Sequence, residues 1–290
     1  MFGDQFTQAK IKTTDTEIHL IHGGSGQPLL LLHGYPQTHV MWHLVAPRLA
    51  EHFYVICPDL RGYGDSAKPV TTPNHYPYSK RAMAQDMVEV MATLGYERFY
   101  AAGHDRGGRV LHRLALDYPQ QVEKACVMDI APTYYMFKHT DQQFATGYYH
   151  WFFLIQPEGL PEHLIGGDPA YYLTEKLSRW SGPDAFFDPK AVKEYVRCFE
   201  DPATIHASCE DYRAAASIDL EHDEADMSQK ITCPLLVLWG ALGFVHRTYD
   251  VLATWRERAA HVQGRALDCG HFLPEEQPDA VYGALLDFLA

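Results

Sequence analysis

The chain has 290 residues, 47% of them apolar, enough for a large core in one compact unit carrying an insertion. Its 37 acidic against 24 basic side chains give a formal charge of −13, which argues against nucleic acid or an anionic membrane as a partner. Such a background repels a small anionic substrate, so local arginines would have to reverse the field at any site that binds one.

The N-terminal MFGDQFTQAK lacks a basic segment leading into an apolar run, and no stretch nears the roughly 18 apolar residues of a membrane span. A cytoplasmic protein is expected. Short apolar runs rich in aliphatic and β-branched residues then recur at Pro28 to Leu32, Phe53 to Cys57, Phe99 to Ala102, Lys124 to Met128 and Pro234 to Trp239. Runs of this kind suit parallel strands covered on both faces, and their alternation with helix-like stretches predicts a doubly wound α/β fold. Between about Thr133 and Lys230 strand-like runs vanish and aromatics crowd in, from Tyr134 to Phe153. This segment reads as a helical cap (134–229) inserted into a core made of 1–133 and 230–290. The six cysteines show no paired spacing of the zinc or redox kind and are expected to be reduced packing residues.

Phe99 to His104 followed by Asp105-Arg106-Gly107-Gly108-Arg109 reads as strand, sharp turn, helix. Gly103-His104-Asp105-Arg106-Gly107 matches the Gly-x-nucleophile-x-Gly elbow, with Asp in the nucleophile position. The glycines are required because a Cβ at 103 or 107 would clash in so tight a turn. Asp105 lies at a helix N-terminus, whose partial positive charge favours the carboxylate. Leu30 to Pro36 is a strand running into a His-Gly loop, so the backbone N–H groups of Tyr35 and Arg106 are the candidate oxyanion donors. Asp268-Cys269-Gly270-His271-Phe272 offers His271 as general base, in the chain order nucleophile, acid, histidine. His33 and His104 flank this site and read as structural.

The acid commonly follows the penultimate long strand, yet Gly240 to Phe244 holds no carboxylate. Asp129, at the end of the preceding core strand, is therefore the candidate that orients His271 and stabilises its imidazolium. Arg109 lies one helical turn beyond Asp105, so with Arg106 it can place positive charge beside the nucleophile.

The set HisGlyTyrProGln, AspLeuArgGlyTyrGlyAspSer, GlyHisAspArgGlyGlyArg, TyrHisTrp, CysGluAspTyrArg and GlyHisPheLeuProGluGlu spans nearly the whole chain and resembles the fluoroacetate dehalogenases of the α/β-hydrolase family. Haloalkane dehalogenases and epoxide hydrolases share the elbow but typically have Trp after the nucleophile, where this chain has Arg106. The resemblance implies hydrolysis of haloacetates through an aspartyl ester, with Arg106 and Arg109 holding the substrate carboxylate. It also implies a halide pocket of His150, Trp151 and Tyr212, a homodimer, and no metal or organic cofactor. All three pocket side chains can donate hydrogen bonds to a departing halide. Three rival readings are an epoxide hydrolase with Tyr212 and Tyr148 or Tyr149 as proton donors, a haloalkane dehalogenase, and a ligand receptor built on the same fold. The first two would leave buried arginines beside a neutral substrate. The third would bind without turnover.

Overall fold

The computed structural model describes residues 1–157 and 159–290. An antiparallel hairpin, β1 (Phe6–Lys12) and β2 (Glu17–Gly24), opens the chain. It is followed by β3 (Gln27–Leu32), β4 (Phe53–Pro58), β5 (Phe99–His104) and β6 (Val122–Met128), with α1 (Ala46–Leu49), α2 (Lys80–Thr93) and α3 (Arg106–Asp117) as crossovers. After the insertion come β7 (Leu235–Gly240), α12 (Phe244–Thr248), α13 (Val251–Arg258), β8 (Val262–Leu267), α14 (Leu273–Glu276) and α15 (Pro278–Leu289). The sheet order is β1-β2-β4-β3-β5-β6-β7-β8, parallel from β4 onward.

Apolar runs that sequence marks as strands are the buried central ones: Leu29 to Leu32 and Leu235 to Leu238 are almost wholly shielded. The N-terminal hairpin escapes that signal. Its first strand alternates exposed polar side chains with a few partly buried ones, as an edge strand does, and so never forms a continuous apolar run. Among the described residues eight helices lie between β6 and β7: α4 (Thr133–Lys138), α5 (Gln142–Gly147), α6 (Tyr149–Phe153), α7 (Leu160–Gly166), α8 (Pro169–Trp180), α9 (Pro189–Phe199), α10 (Pro202–Ala215) and α11 (Ile218–Ala225). Pro at the first turn of α7 through α10 and Asp at the N-caps of α8, α9 and α10 start these helices where the sequence breaks. Among the described residues no helix is long and apolar enough to cross a membrane, and all six cysteines are free thiols.

Strand register is what positions the chemistry. His104 of β5 pairs with Met128 of β6, and Met128 with Leu238 of β7. Asp105 and Asp129 therefore emerge side by side, one residue past the paired ends, their amides bonded to Met128 O (3.1 Å) and Leu238 O (2.8 Å). Such carboxyl ends are where open α/β sheets place their ligands. The turn into α3 is packed backbone to backbone: a Cβ on Gly103 would meet Gly107 O at 2.5 Å, and one on Gly107 would meet Leu32 O at 2.6 Å. Neither neighbour can move without moving the start of α3 or the central strand β3. Gly107→Ala is accordingly expected to lower stability by about 3 kcal/mol or more, measured by denaturant unfolding.

Candidate active site

Asp105 has φ 47° and Asp129 φ 51°, both in the left-handed region that a non-glycine residue occupies only at a cost of roughly 1–3 kcal/mol. In each case the positive φ turns the carboxylate out from the carboxyl end of the sheet, Asp105 to the Tyr35 amide and Asp129 to the Gly240 amide and His271. The loop after β3 comes close enough that a Cβ on Gly34 would sit 2.5 Å from that of Asp105. Gly34 thus lets the Tyr35 amide reach Asp105 Oδ1, to which it donates at 2.9 Å. The other carboxylate oxygen, Oδ2, has no hydrogen bond among the described residues and lies 3.9 Å from His271 Nε2.

His271 stands on the loop between β8 and α14. Its Nδ1 shares a 2.6 Å hydrogen bond with Asp129 Oδ2, while Asp129 Oδ1 accepts from the Gly240 amide at 3.0 Å. Glu276 braces that loop, its carboxylate accepting from the amides of Gly270, Phe272 and Gly182. The His271 amide in turn donates to Trp180 O at the end of α8, at 2.8 Å. Burial works against a charge on His271, but the bond to Asp129 and the nearby charges of Asp129 and Asp105 raise its pKa above the ordinary 6.5. Burial likewise opposes the charge on Asp105; His271, His104, Arg109 and Arg106 outweigh it and hold the carboxyl below its usual range. The titrations of His271 and Asp105 are thus both set by their neighbours.

The two arginines differ from each other. Arg106 is wholly buried and clasps Asp211 of α10, with Nε to Oδ2 at 2.8 Å and Nη2 to Oδ1 at 2.6 Å. The resemblance implies that Arg106, with Arg109, holds the substrate carboxylate; its Nε and Nη2 are taken by Asp211, and among the described residues only its Nη1 remains without a partner. Arg109 is buried without any carboxylate partner among the described residues: it donates to Ala131 O, Thr133 Oγ1 and Met136 Sδ, and its Nε is unpartnered. Burial and the Arg106 charge both pull its pKa below the usual guanidinium range, against the Asp105 charge. Each guanidinium lies over a cap ring, Arg106 4.2 Å above Tyr212 and Arg109 4.6 Å above Trp151.

Those rings close the site. Tyr212 lies 6.3 Å from Trp151 and 5.6 Å from His150 between ring centroids, and all three are buried. Burial, reinforced by Lys176 and His271, keeps His150 neutral. Among the described residues the Tyr212 hydroxyl and His150 Nδ1 have no partner, nor does His271 Nε2. With Arg106 Nη1 and Arg109 Nε, that makes five unpartnered polar atoms on residues lining one region. Each such atom costs about 1–3 kcal/mol unless a ligand engages it.

Other residues lie where sequence gave no reason to look. Asp211 neutralises Arg106 and also meets Lys80, and Tyr63 donates to it at 2.7 Å. Trp180 packs 4.6 Å from the His150 ring and 5.5 Å from that of His271. Of the two neighbouring phenols, Tyr148 is buried in the site, whereas Tyr149 is half-exposed and accepts from Lys176 Nζ. His104 donates to His271 O at 2.7 Å, and burial drops its pKa to about 3. His33 accepts from the Leu60 amide and bonds Gly34 O, bracing the loop that carries Tyr35.

Comparisons with known proteins agree with this architecture. A family model for the alpha/beta hydrolase fold matches residues 27–278. The chain is 46% identical over 287 residues to a fluoroacetate dehalogenase of Burkholderia sp, covering 98% of this chain and 94% of that protein. It is 37% identical to a soluble epoxide hydrolase of Corynebacterium sp., covering 94% and 93%. A solved α/β-hydrolase structure from Nostoc sp superposes with a TM-score of 0.99 at 62% identity, covering 100% of this chain and 99% of the other. The sheet, the strained elbow and these relatives together make the chain a hydrolase that belongs to the α/β-hydrolase family.

Proposed function

We propose that the protein hydrolyses haloacetates, fluoroacetate to glycolate and fluoride, through an ester on Asp105. The observation that carries this reading is Arg109: a buried guanidinium with no carboxylate partner, one helical turn from the nucleophile, with an unpartnered Nε. A substrate carboxylate would supply its missing counter-charge, joined by the free Nη1 of Arg106. A neutral halide would not.

With the carboxylate so held, Asp105 Oδ2 attacks the carbon bearing the halogen in line with the departing halide. His150, Trp151 and Tyr212 donate hydrogen bonds to the halide, which matters most for fluoride because its charge is compact. Oδ1, already bonded to the Tyr35 amide, becomes the ester carbonyl oxygen. Water activated by His271, with Asp129 steadying the imidazolium, attacks that carbonyl, and the oxyanion builds up against the Tyr35 and Arg106 amides. Glycolate leaves and Asp105 is restored.

The test is halide release from fluoroacetate and chloroacetate, followed with an ion-selective electrode beside diol release from a simple epoxide. Fluoride release is expected, with the first-turnover glycolate carrying oxygen from Asp105 rather than from heavy-oxygen water. Solvent label in that turnover would exclude the covalent route, and diol alone would exclude the carboxylate clamp. The pH profile gives a further check: kcat should rise with pH through a midpoint above 6.5, since hydrolysis of the ester needs neutral His271 and its pKa is raised. Asp129→Asn removes the cause of that rise. The midpoint should then fall, and kcat should drop by about 1,000-fold.

A further inference from the structure

Tyr212, one of the three hydrogen-bond donors assigned above to the halide, is also able to give up its proton, which a departing halide does not require. Its hydroxyl is buried and unpartnered. Of the other phenols nearby, Tyr35 donates to Tyr172 (3.1 Å) and Tyr63 to Asp211 (2.7 Å), while buried Tyr148 has, among the described residues, no guanidinium over its ring as Tyr212 has. Burial and the Asp105 charge keep Tyr212 protonated at rest, while the Arg106 guanidinium, 4.2 Å above its ring, is placed to stabilise the phenolate once the proton has gone. A halide ion departs as a weak base and requires only hydrogen bonds. An oxygen leaving group departs as an alkoxide, a far stronger base, and requires a proton. The similarity to a soluble epoxide hydrolase points to the same chemistry, but the uncompensated Arg109 makes an uncharged epoxide a poor match.

We propose that this site also opens oxiranes that carry a carboxylate on the ring, with Arg109 and Arg106 Nη1 holding the carboxylate and Tyr212 protonating the ring oxygen. The proposal rests on the carboxylate clamp of the preceding section. The clamp places the carbon next to the carboxylate before Asp105, so Oδ2 bonds to that carbon, its C–O bond breaks, and the freed oxygen takes the Tyr212 proton. The result is a hydroxyalkyl ester on Asp105 and a phenolate over Arg106. Water attacks the ester carbonyl and passes a proton through His271 to the departing alcohol oxygen. Regenerating the Asp105 carboxylate releases one proton, which restores Tyr212. The net reaction is oxirane carboxylate plus water to dihydroxy acid.

The wild type and Tyr212→Phe are to be assayed with oxirane-2-carboxylate, with glycidol as its uncharged counterpart, and with bromoacetate. Wild type should form glycerate from the oxirane acid at a kcat/KM about 100-fold above that for glycidol. In heavy-oxygen water, over many turnovers, label should enter the hydroxyl next to the carboxylate. Tyr212→Phe should lower oxirane opening by about 100-fold or more, and bromide release by less than about 10-fold. Bromide release by wild type without any glycerate would overturn the proposal and leave the dehalogenase reading standing. Equal losses on both substrates would overturn Tyr212 as donor, and label on the terminal hydroxyl would overturn the assigned carbon. Glycidol hydrolysis without bromide release would overturn both this proposal and the clamp beneath it.

Discussion

A His271→Asn variant given fluoroacetate is expected to release one fluoride per site and stop, its mass raised by one carboxymethyl group on Asp105. The two halves of the reaction use different atoms. Attack needs only Oδ2, which carries no hydrogen bond, and an ionised Asp105, which the site's cations maintain. Hydrolysis needs an acceptor for a water proton, and His271 Nε2, unpartnered and 3.9 Å from Oδ2, is the one so placed. Intact mass spectrometry after brief incubation reads the result directly. Asp105→Asn should give no ester and lose turnover by about 10⁵-fold or more, because a neutral amide is a poor nucleophile. A His271→Asn protein that turns over at the normal rate would exclude this base.

The second large effect concerns stability. Asp211→Ala is expected to cost about 3–5 kcal/mol, since it leaves Arg106 and Lys80 as buried cations with nothing between them. For a chain of this size that lowers Tm by roughly 10 °C or more. Asp211→Asn, which keeps the shape and loses the charge, should fall between the two. A Tm within about 2 °C of wild type for the alanine variant would show that the pair is not worth its burial. The pair sits beside the nucleophile, so catalysis should suffer even in molecules that fold.

What sequence disclosed and what it hid follow from how each residue does its work. The elbow is legible because its strain leaves a local trace: only glycine fits at 103 and 107, against Gly107 O and Leu32 O. Asp129 is legible by elimination, because Gly240 to Phe244 carries no acid where the fold usually has one. Asp211 is not. In Cys209-Glu210-Asp211-Tyr212-Arg213 three charges in five residues give no local sign of which one is buried on a partner, and only the fold brings Asp211 to Arg106. Glu276 is hidden because its partners are backbone amides, which leave no trace in side-chain pattern: Gly270 and Phe272 close by in the chain and Gly182 far from it. The edge strand β1 shows the converse limit: a strand with a wet face is written in alternation, and a reading tuned to unbroken apolar runs passes over it.

The clasp between Arg106 and Asp211 also bears on how such a protein can be rebuilt. Because the residue after the nucleophile is held by a side chain from the insertion, the catalytic turn and its covering helices are one cooperative unit. A cap transplanted from another hydrolase would have to bring an acid that meets Arg106 and Lys80 in the same place. Lacking it, the chimera would lose stability and the geometry around Asp105 together, so substrate range in this scaffold has more room to change through the rings around the pocket than by exchange of the cap.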